Sequence, residues 1–363
     1  GFRDGLGLGR PDHEPLATAT MPEIVALIST LIERGHAYES GGDVYFRVRS
    51  YPGYGELSHR DVDAMDQGEG VEGAERKEDP LDFALWKAEK PGEDTSWPSP
   101  WGAGRPGWHI ECSAMSMKYL GETFDIHCGG EDLIFPHHEN EIAQSTCATG
   151  KPFVRYWLHN AYLIVEGRKM SKSLGNFYTL RELIQAGHKP LAIRWVLLAT
   201  HYRQPNNFTF DSLEAAGNAL DRIRDFRLRL TGIRGQGSAL EDETKACEEA
   251  FGNALDDDLN ISAALGVVFD FIRDTNKALD KGEVGAEGAK RALDMLDRLD
   301  AVTGVFAPAA DEEVPDGVLA LVKERQQARR EKNFARSDAI RSELTQLGWV
   351  VEDTPDGPRV KRL

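Results

Sequence analysis

The stretch from Phe124 to Val165 constrains the fold more than any other. Phe124-Asp125-Ile126-His127 reads as a short buried strand, followed by Gly129-Gly130 and a helix from about Pro136. Tyr162-Leu163-Ile164-Val165 reads as a second short strand. Strands that alternate with helices in this way predict an α/β fold built on a parallel sheet, because parallel neighbours need a crossover between them.

The flanks read differently. Residues 20–35 are predicted to form a helix, with Thr20 and Glu23 in a capping-box pattern and Ile24, Leu27, Ile28, Leu31 and Ile32 on one apolar stripe. Gly35 is placed to end it. Residues 43–49 alternate like a strand, and 89–107, rich in Pro, Gly, Ser and Trp, are expected to be an irregular loop in which Trp97 and Trp101 pack. From about residue 180 the pattern becomes almost wholly helical. Leu213 to Leu230 and Ile261 to Leu279 carry helical periodicity, with an acidic stretch, Glu241 to Asp258, between them. The tail from about Val314 reads as a helical hairpin, and Trp349 to Asp353 as a terminal strand. There are no internal repeats.

Bulk properties limit the function classes. At 363 residues, 40% hydrophobic and 28% charged, the chain has the composition of a globular protein of two or three domains. No apolar run approaches the ~20 residues of a membrane span, and no signal-peptide pattern opens the chain. Cys112, Cys128, Cys147 and Cys247 are too sparse for a disulfide scaffold and fit a reduced, cytoplasmic setting. The net charge of −17 means that any contact with nucleic acid must be local. Lys323, Arg325, Arg329, Arg330, Lys332, Arg336, Arg359, Lys361 and Arg362 supply such local charge near the C-terminus, interspersed with acidic residues. The first residue is Gly1 rather than Met, so the sequence reads as a fragment or a processed product.

Pro136-His137-His138-Glu139-Asn140-Glu141 opens the predicted helix, with Pro136 near its first position. His137 and Glu141, four apart, project from one helix face, where an imidazole and a carboxylate can share a metal ion. Cys112, within Trp108-His109-Ile110-Glu111-Cys112-Ser113, can add a thiolate from elsewhere in the fold. Such a donor set suits Zn²⁺ better than the oxygen-seeking Mg²⁺ or Ca²⁺. Cys128 and His138 are rival donors, and the residue types alone do not select among them. If Cys112, His137 and Glu141 converge, their donor atoms should lie within about 4–5 Å of one another.

Gly167-Arg168-Lys169-Met170-Ser171-Lys172-Ser173-Leu174-Gly175-Asn176 places two lysines and two serines between glycines. Such a loop can close two ammonium groups over a polyphosphate and exclude water where charge develops. Its Lys-Met-Ser-Lys-Ser core matches the signature loop of class I aminoacyl-tRNA synthetases letter for letter.

Further segments narrow the resemblance. Gly107 to Met115 resembles the zinc-cysteine segment of cysteinyl-tRNA synthetases. Phe124 to Asp132, Phe135 to Glu141 and Asp256-Asp257-Asp258-Leu259-Asn260 continue the likeness over essentially the whole chain. The resemblance implies a partial Rossmann-type parallel sheet with a connective insertion, then an all-α helical domain and a small mixed C-terminal domain. The implied boundaries are 1–105 for the connective insertion and 106–165 for the second half of the nucleotide-binding domain. Residues 166–210 would hold the lysine loop and stem-contact region, 211–313 a helical tRNA-binding domain, and 314–363 the anticodon-binding domain.

Carried over residue by residue, the family pattern makes Cys112, His137 and Glu141 three of four zinc ligands. It sets Trp108 and His127 at the amino-acid pocket and Asp132 near the adenosine ribose. Lys169 and Lys172 become the catalytic lysines, with Met170, Ser171, Lys172 and Ser173 on ATP. Arg329, Phe334, Asp338 and Asp353 become the anticodon contacts. Position 128 is Cys where the family pattern has Gly. The nucleotide-binding half with its His-Ile-Gly-His-like motif and the fourth ligand has no match here, so the chain is expected to begin inside the connective insertion and, by itself, not to form adenylate at a useful rate.

The implied activity is activation of cysteine by Mg²⁺–ATP and transfer of the cysteinyl group to tRNA(Cys), by a cytoplasmic monomer. Zinc would account for selectivity. Apolar pockets separate small side chains by only ~1–3 kcal/mol, whereas 10⁴-fold accuracy needs about 5.5 kcal/mol. A substrate thiol ionises on Zn²⁺ and a serine hydroxyl does not, so no editing domain is expected. Two rivals remain: a mycothiol-type cysteine ligase, which has no use for the long helical region and tail, and a non-catalytic tRNA-binding remnant.

Overall fold

The computed structural model describes residues 5–65, 74–306, 315–354 and 357–362. The chain divides into two units, Gly1–Ala219 with Lys245–Arg273, and Leu220–Thr244 with Asp274–Leu363.

The first unit starts from helix α1 (Met21–Glu33), whose Ile24, Leu27, Ile28 and Leu31 are buried as the apolar stripe requires. Gly35 follows its end at φ +83°, a conformation that favours glycine. The expected capping box does not form. The Thr20 hydroxyl donates back to the Leu16 carbonyl at 2.9 Å, and Glu23 pairs with Lys118 at 2.6 Å. Helix α1 packs with α2 (Trp108–Leu120), α3 (Glu139–Thr149) and an antiparallel sheet in the order β1 (Ala37–Ser40), β2 (Asp43–Phe46), β3 (Phe83–Ala88), β4 (Gly104–Pro106) around one apolar core. Strand β2 stops three residues short of its predicted end. The chain turns into a 3₁₀ segment at Val48–Ser50, pinned by the Val48 N–H donating to Asp82. In the loop before α2, Trp97 and Trp101 pack against this core as expected, and Trp97 bridges to Gly104.

Strand β5 (Phe124–Gly130) and β6 (Val154–Asn160) pair in parallel, with α3 as the crossover between them. A parallel α/β unit is therefore present as expected, but its second strand is β6, which the sequence reading missed; the predicted strand at 162–165 lies in a separate sheet. The β5–α3–β6 unit is less buried than expected: Asp125, Ile126 and Cys128 are exposed, because among the described residues β5 has a strand neighbour on one side only. The helix predicted from Pro136 starts at Glu139. Ile134–His138 form a wide π-type turn in which Phe135 takes an extended conformation, and Pro136 sits inside that turn.

A second small sheet, in the order β8 (Arg168–Lys169), β7 (Leu163–Val165), β9 (Asn206–Phe208), carries the lysine-rich loop. Strand β9 interrupts the region read as wholly helical. Its three residues leave no period to detect, and it exists by pairing with β7. Helices α4 (Leu180–Gln185), α5 (Pro190–Leu198), α6 (Phe210–Thr231), α7 (Glu241–Asp256) and α8 (Ile261–Asp280) follow the predicted pattern, the acidic stretch forming α7. After α7, Asp258 and Leu259 both have positive φ, +55° and +56°. The Asp258 carboxylate holds this corner by accepting from the Tyr202 hydroxyl at 2.6 Å and from the Arg203 guanidinium.

In the second unit, α9 (Ala286–Thr303) buries Ala289, Ala292, Met295, Leu296 and Leu299. The predicted hairpin is α10 (Asp316–Arg330) and α11 (Phe334–Gln346). The predicted terminal strand, β10 (Trp349–Thr354), pairs antiparallel with β11 (Gly357–Arg362), and Val318, Val322, Ile340, Leu344, Trp349 and Val351 make the hairpin core. No helix among the described residues is long and apolar enough to cross a membrane.

Candidate active site

Among the described residues, two clusters of side chains that could hold a metal ion share one carboxylate, that of Glu141. Donor atoms of Cys112 on α2, His137 in the wide turn and Glu141 on α3 all lie within 4.8 Å of one another, and so do those of His127, His138 and Glu141. The structure thus brings together the three residues the sequence motifs select, and adds His127 and the rival donor His138 to the same carboxylate. Cys128, the other rival, is exposed on β5 and belongs to neither cluster. From Glu141 Oε2, His127 Nε2 is 3.5 Å away, His137 Nε2 3.7 Å and His138 Nε2 3.8 Å.

Neighbouring rings set these directions. His137 Nδ1 shares a 2.8 Å hydrogen bond with His109 Nδ1, which leaves Nε2 turned toward Glu141. The Trp108 indole stacks on the His137 ring at 4.4 Å while remaining half exposed. His138 Nδ1 shares a 2.8 Å bond with His159 Nε2, and His127 lies against Trp157 and His138. The sequence reading missed His109 and His159. His109 sits beside Trp108 in a segment already singled out, whereas nothing near His159 marks it.

The surroundings of these donors suit a cation. Glu141 is fully buried, and among the described residues neither carboxylate oxygen has a hydrogen-bond partner. Burial pushes its carboxyl up to about 8 and the Cys112 thiol up to about 12, the latter also raised by Glu141 and Glu111. Burial, and then neighbouring imidazoles, hold His127 down to about 4 and His138 to about 3. Buried imidazoles kept neutral, beside a carboxylate without hydrogen-bond partners and a thiol, form a donor set that a divalent metal would satisfy. Mixed S, N and O donors fit zinc.

The lysine loop is built by a few polar contacts. Asn176 bridges it: Oδ1 accepts from the Ser171 N–H at 2.9 Å, and Nδ2 donates to the carbonyls of Lys169 at 3.1 Å and Val165 at 3.3 Å. Ser171 caps a single turn, Lys172–Leu174, by accepting from the Ser173 N–H. Gly167 and Gly175 bracket the loop at φ +70° and +66°. Lys169, Lys172 and Ser173 are exposed, and Lys172 Nζ lies 5.5 Å from the centre of the Phe177 ring. Met170 lines an apolar cavity of about 90 Å³ with Leu163, Val165, Tyr178, Leu183, Ile193 and Phe208. Asp132 is exposed in a short turn directly after β5.

In the second unit, Arg329, Phe334 and Asp338 are exposed around the α10–α11 turn, with Phe334 63% accessible. Asp353 lies in β10, and its side chain is outside the described residues.

Comparison with known families decides the lineage. Residues 3–218 match the model for the catalytic domain of class I (C) tRNA synthetases, 250–307 the DALR domain, and 311–360 the cysteinyl-tRNA ligase anticodon binding domain. The chain belongs to the cysteinyl-tRNA ligase family. It is 49% identical to the cysteine–tRNA ligase of Caldicellulosiruptor saccharolyticus over 99% of this chain and 78% of that protein. It is 47% identical to that of Desulforudis audaxviator over 99% and 79%. Among solved structures, Mycobacterium tuberculosis methionyl-tRNA synthetase has a TM-score of 0.56 at 14% identity, covering 80% of this chain and 72% of that one. A putative arginyl-tRNA synthetase of Campylobacter jejuni has a TM-score of 0.53 at 13% identity, covering 84% and 65%. These two share the class I synthetase fold.

Proposed function

We propose that the Glu141-centred cluster is a zinc site that selects cysteine, and that this chain serves cysteine activation by ATP and transfer to tRNA(Cys). The observation that carries the reading is Glu141 itself, a buried carboxylate without a hydrogen-bond partner among the described residues, flanked by a thiol and imidazoles. Cys112, His137 and Glu141 would hold the ion. When bound, zinc would favour the ionised thiol of the substrate over a serine hydroxyl.

The protein's own groups do the rest. His109 fixes which ring nitrogen His137 presents, as partners of metal-ligating histidines commonly do. Trp108 and His127 wall the amino-acid pocket. Lys169 and Lys172 neutralise the charge that builds on departing pyrophosphate, which Mg²⁺ accompanies, while Met170 seats the loop through its apolar cavity. Ser171 and Ser173 shape the turn that presents Lys172, and Asp132 lies toward the ribose. Arg329, Phe334, Asp338 and Asp353 read the anticodon. The domain limits 1–105, 106–165, 166–210, 211–313 and 314–363, a cytoplasmic location and a monomeric state belong to the same reading.

A mycothiol-type ligase is disfavoured by residues 311–360, since a small acceptor needs no anticodon domain. The test is direct. With Co²⁺ in place of zinc, cysteine should add a thiolate-to-cobalt charge-transfer band and serine should not. Identical spectra with the two amino acids would overturn the zinc reading, and a non-catalytic remnant would show no cysteine-dependent pyrophosphate exchange when the nucleotide-binding half is supplied.

A further inference from the structure

Glu139 and Glu141 are both fully buried on the first turn of α3, yet their surroundings are opposite. Glu141 has no hydrogen-bond partner among the described residues. Glu139 turns the other way and is saturated by backbone: Oε1 accepts from the Gly55 N–H at 2.9 Å and Oε2 from the Ser58 N–H at 2.8 Å. Between them, the Asn140 side chain accepts from the Tyr54 hydroxyl.

The partner of this clasp is the loop 51–60, which is itself closed. The Arg60 N–H donates to the Gly55 carbonyl at 3.0 Å. Gly55 has φ +96°, and a Cβ there would lie 2.2 Å from the Arg60 oxygen, so only glycine fits. The same loop grips the wide turn directly. The Arg60 guanidinium lies 4.1 Å over the Phe135 ring, and the Tyr54 ring meets Phe135 edge-on at 6.4 Å.

These side-chain contacts, from Tyr54, Gly55, Ser58 and Arg60, fall on the segment that presents His137 and Glu141, while Tyr51 and Tyr54 also pack into the apolar core. That segment needs an outside brace, because Ile134–His138 lacks the repeating hydrogen bonds by which a regular α-helix fixes its side-chain directions. We propose that Glu139 is a positioning residue for the metal centre: its carboxylate, clasped by Gly55 and Ser58, sets where His137 and Glu141 stand relative to Cys112. This rests on the zinc reading of the cluster and extends it to a loop some eighty residues away in sequence.

The test is zinc affinity of the full chain, measured against a chromophoric chelator, beside the thermal midpoint of the metal-free protein. Glu139→Gln keeps the shape but sets an amide N–H₂ against a backbone N–H. It should weaken zinc by about 10–100-fold, the range for losing an outer-shell partner, and alter the Co²⁺ ligand-field spectrum. Tyr54→Phe deletes a single hydroxyl from the same clasp and should weaken zinc by about 2–10-fold; it decides the matter if Glu139→Gln fails to fold. Zinc affinity within about twofold of wild type in these variants, even with a lowered thermal midpoint, would make the clasp a stability feature only and overturn the proposal. Cys112→Ser separates the two readings. Zinc lost in that variant but unchanged in Glu139→Gln overturns the positioning role alone, whereas no zinc uptake by the wild type overturns both.

Discussion

Lys172 and Cys112 make opposite demands on their surroundings. Lys172 stands in water, near the Phe177 ring, and its value lies in where its charge goes when the loop closes. In the enzyme completed with the nucleotide-binding half, Lys172→Ala should lower kcat for cysteine-dependent ATP–pyrophosphate exchange by about 10²–10³-fold, with a much smaller change in KM for ATP. A change confined to KM would make the residue a ground-state contact. Cys112 is half-buried beside Glu141, so Cys112→Ser should cost zinc more than the 10–100-fold expected for loss of an outer partner, seen in chelator competition. Both residues are legible in the sequence because their motifs are contiguous. His159 is not: it reaches the site from β6 through one ring contact, and only the parallel pairing of β5 with β6 puts it there.

At the scale of elements, periodic stripes were easy to read and local caps were not. Thr20-x-x-Glu23 and Thr179-x-x-Glu182 carry the same pattern. The second forms a full capping box, while in the first Glu23 is drawn to Lys118, a partner far away in sequence. Tertiary competition of this kind leaves no local trace. The three-residue β9 and the wide turn at Ile134–His138 were missed for a related reason, since each depends on a neighbour rather than on its own propensity. The lysine loop depends heavily on one side chain, Asn176. Asn176→Ala removes three hydrogen bonds worth about 0.5–1.5 kcal/mol each. Amides of residues 169–175 should then exchange faster with deuterium while α1 and its sheet stay protected. Unchanged exchange in the loop would mean that the turn holds itself.

For the molecule as a whole, charge decides how it meets RNA and acid. With a net charge of −17, tRNA must find local cations. Arg329→Ala should therefore reduce the salt slope of tRNA binding, and Phe334→Ala should weaken binding with the slope little changed, as for stacking. Equal slopes for wild type and Arg329→Ala would remove Arg329 from the interface. In acid, Asp258 is the group to watch. Hydrogen bonds from Arg203 and Tyr202 hold its carboxyl at about 2, below the ordinary 3.8. A depressed carboxyl stabilises the fold above its unfolded pKa, so this contribution is complete above about pH 4 and fades toward pH 2. Between those values, stability from denaturant unfolding should fall more steeply in wild type than in Asp258→Asn; parallel curves would mean that the clamp contributes nothing. The β5–α3–β6 unit has a consequence of another kind. It holds His127, His137, His138, Glu141 and His159 within one unbroken stretch of chain, and Cys112 joins from the helix just before it. Contacts so near in sequence close early during folding. The donor set can therefore assemble as a nascent chain emerges, ready to capture metal before the distant C-terminal hairpin has been synthesised.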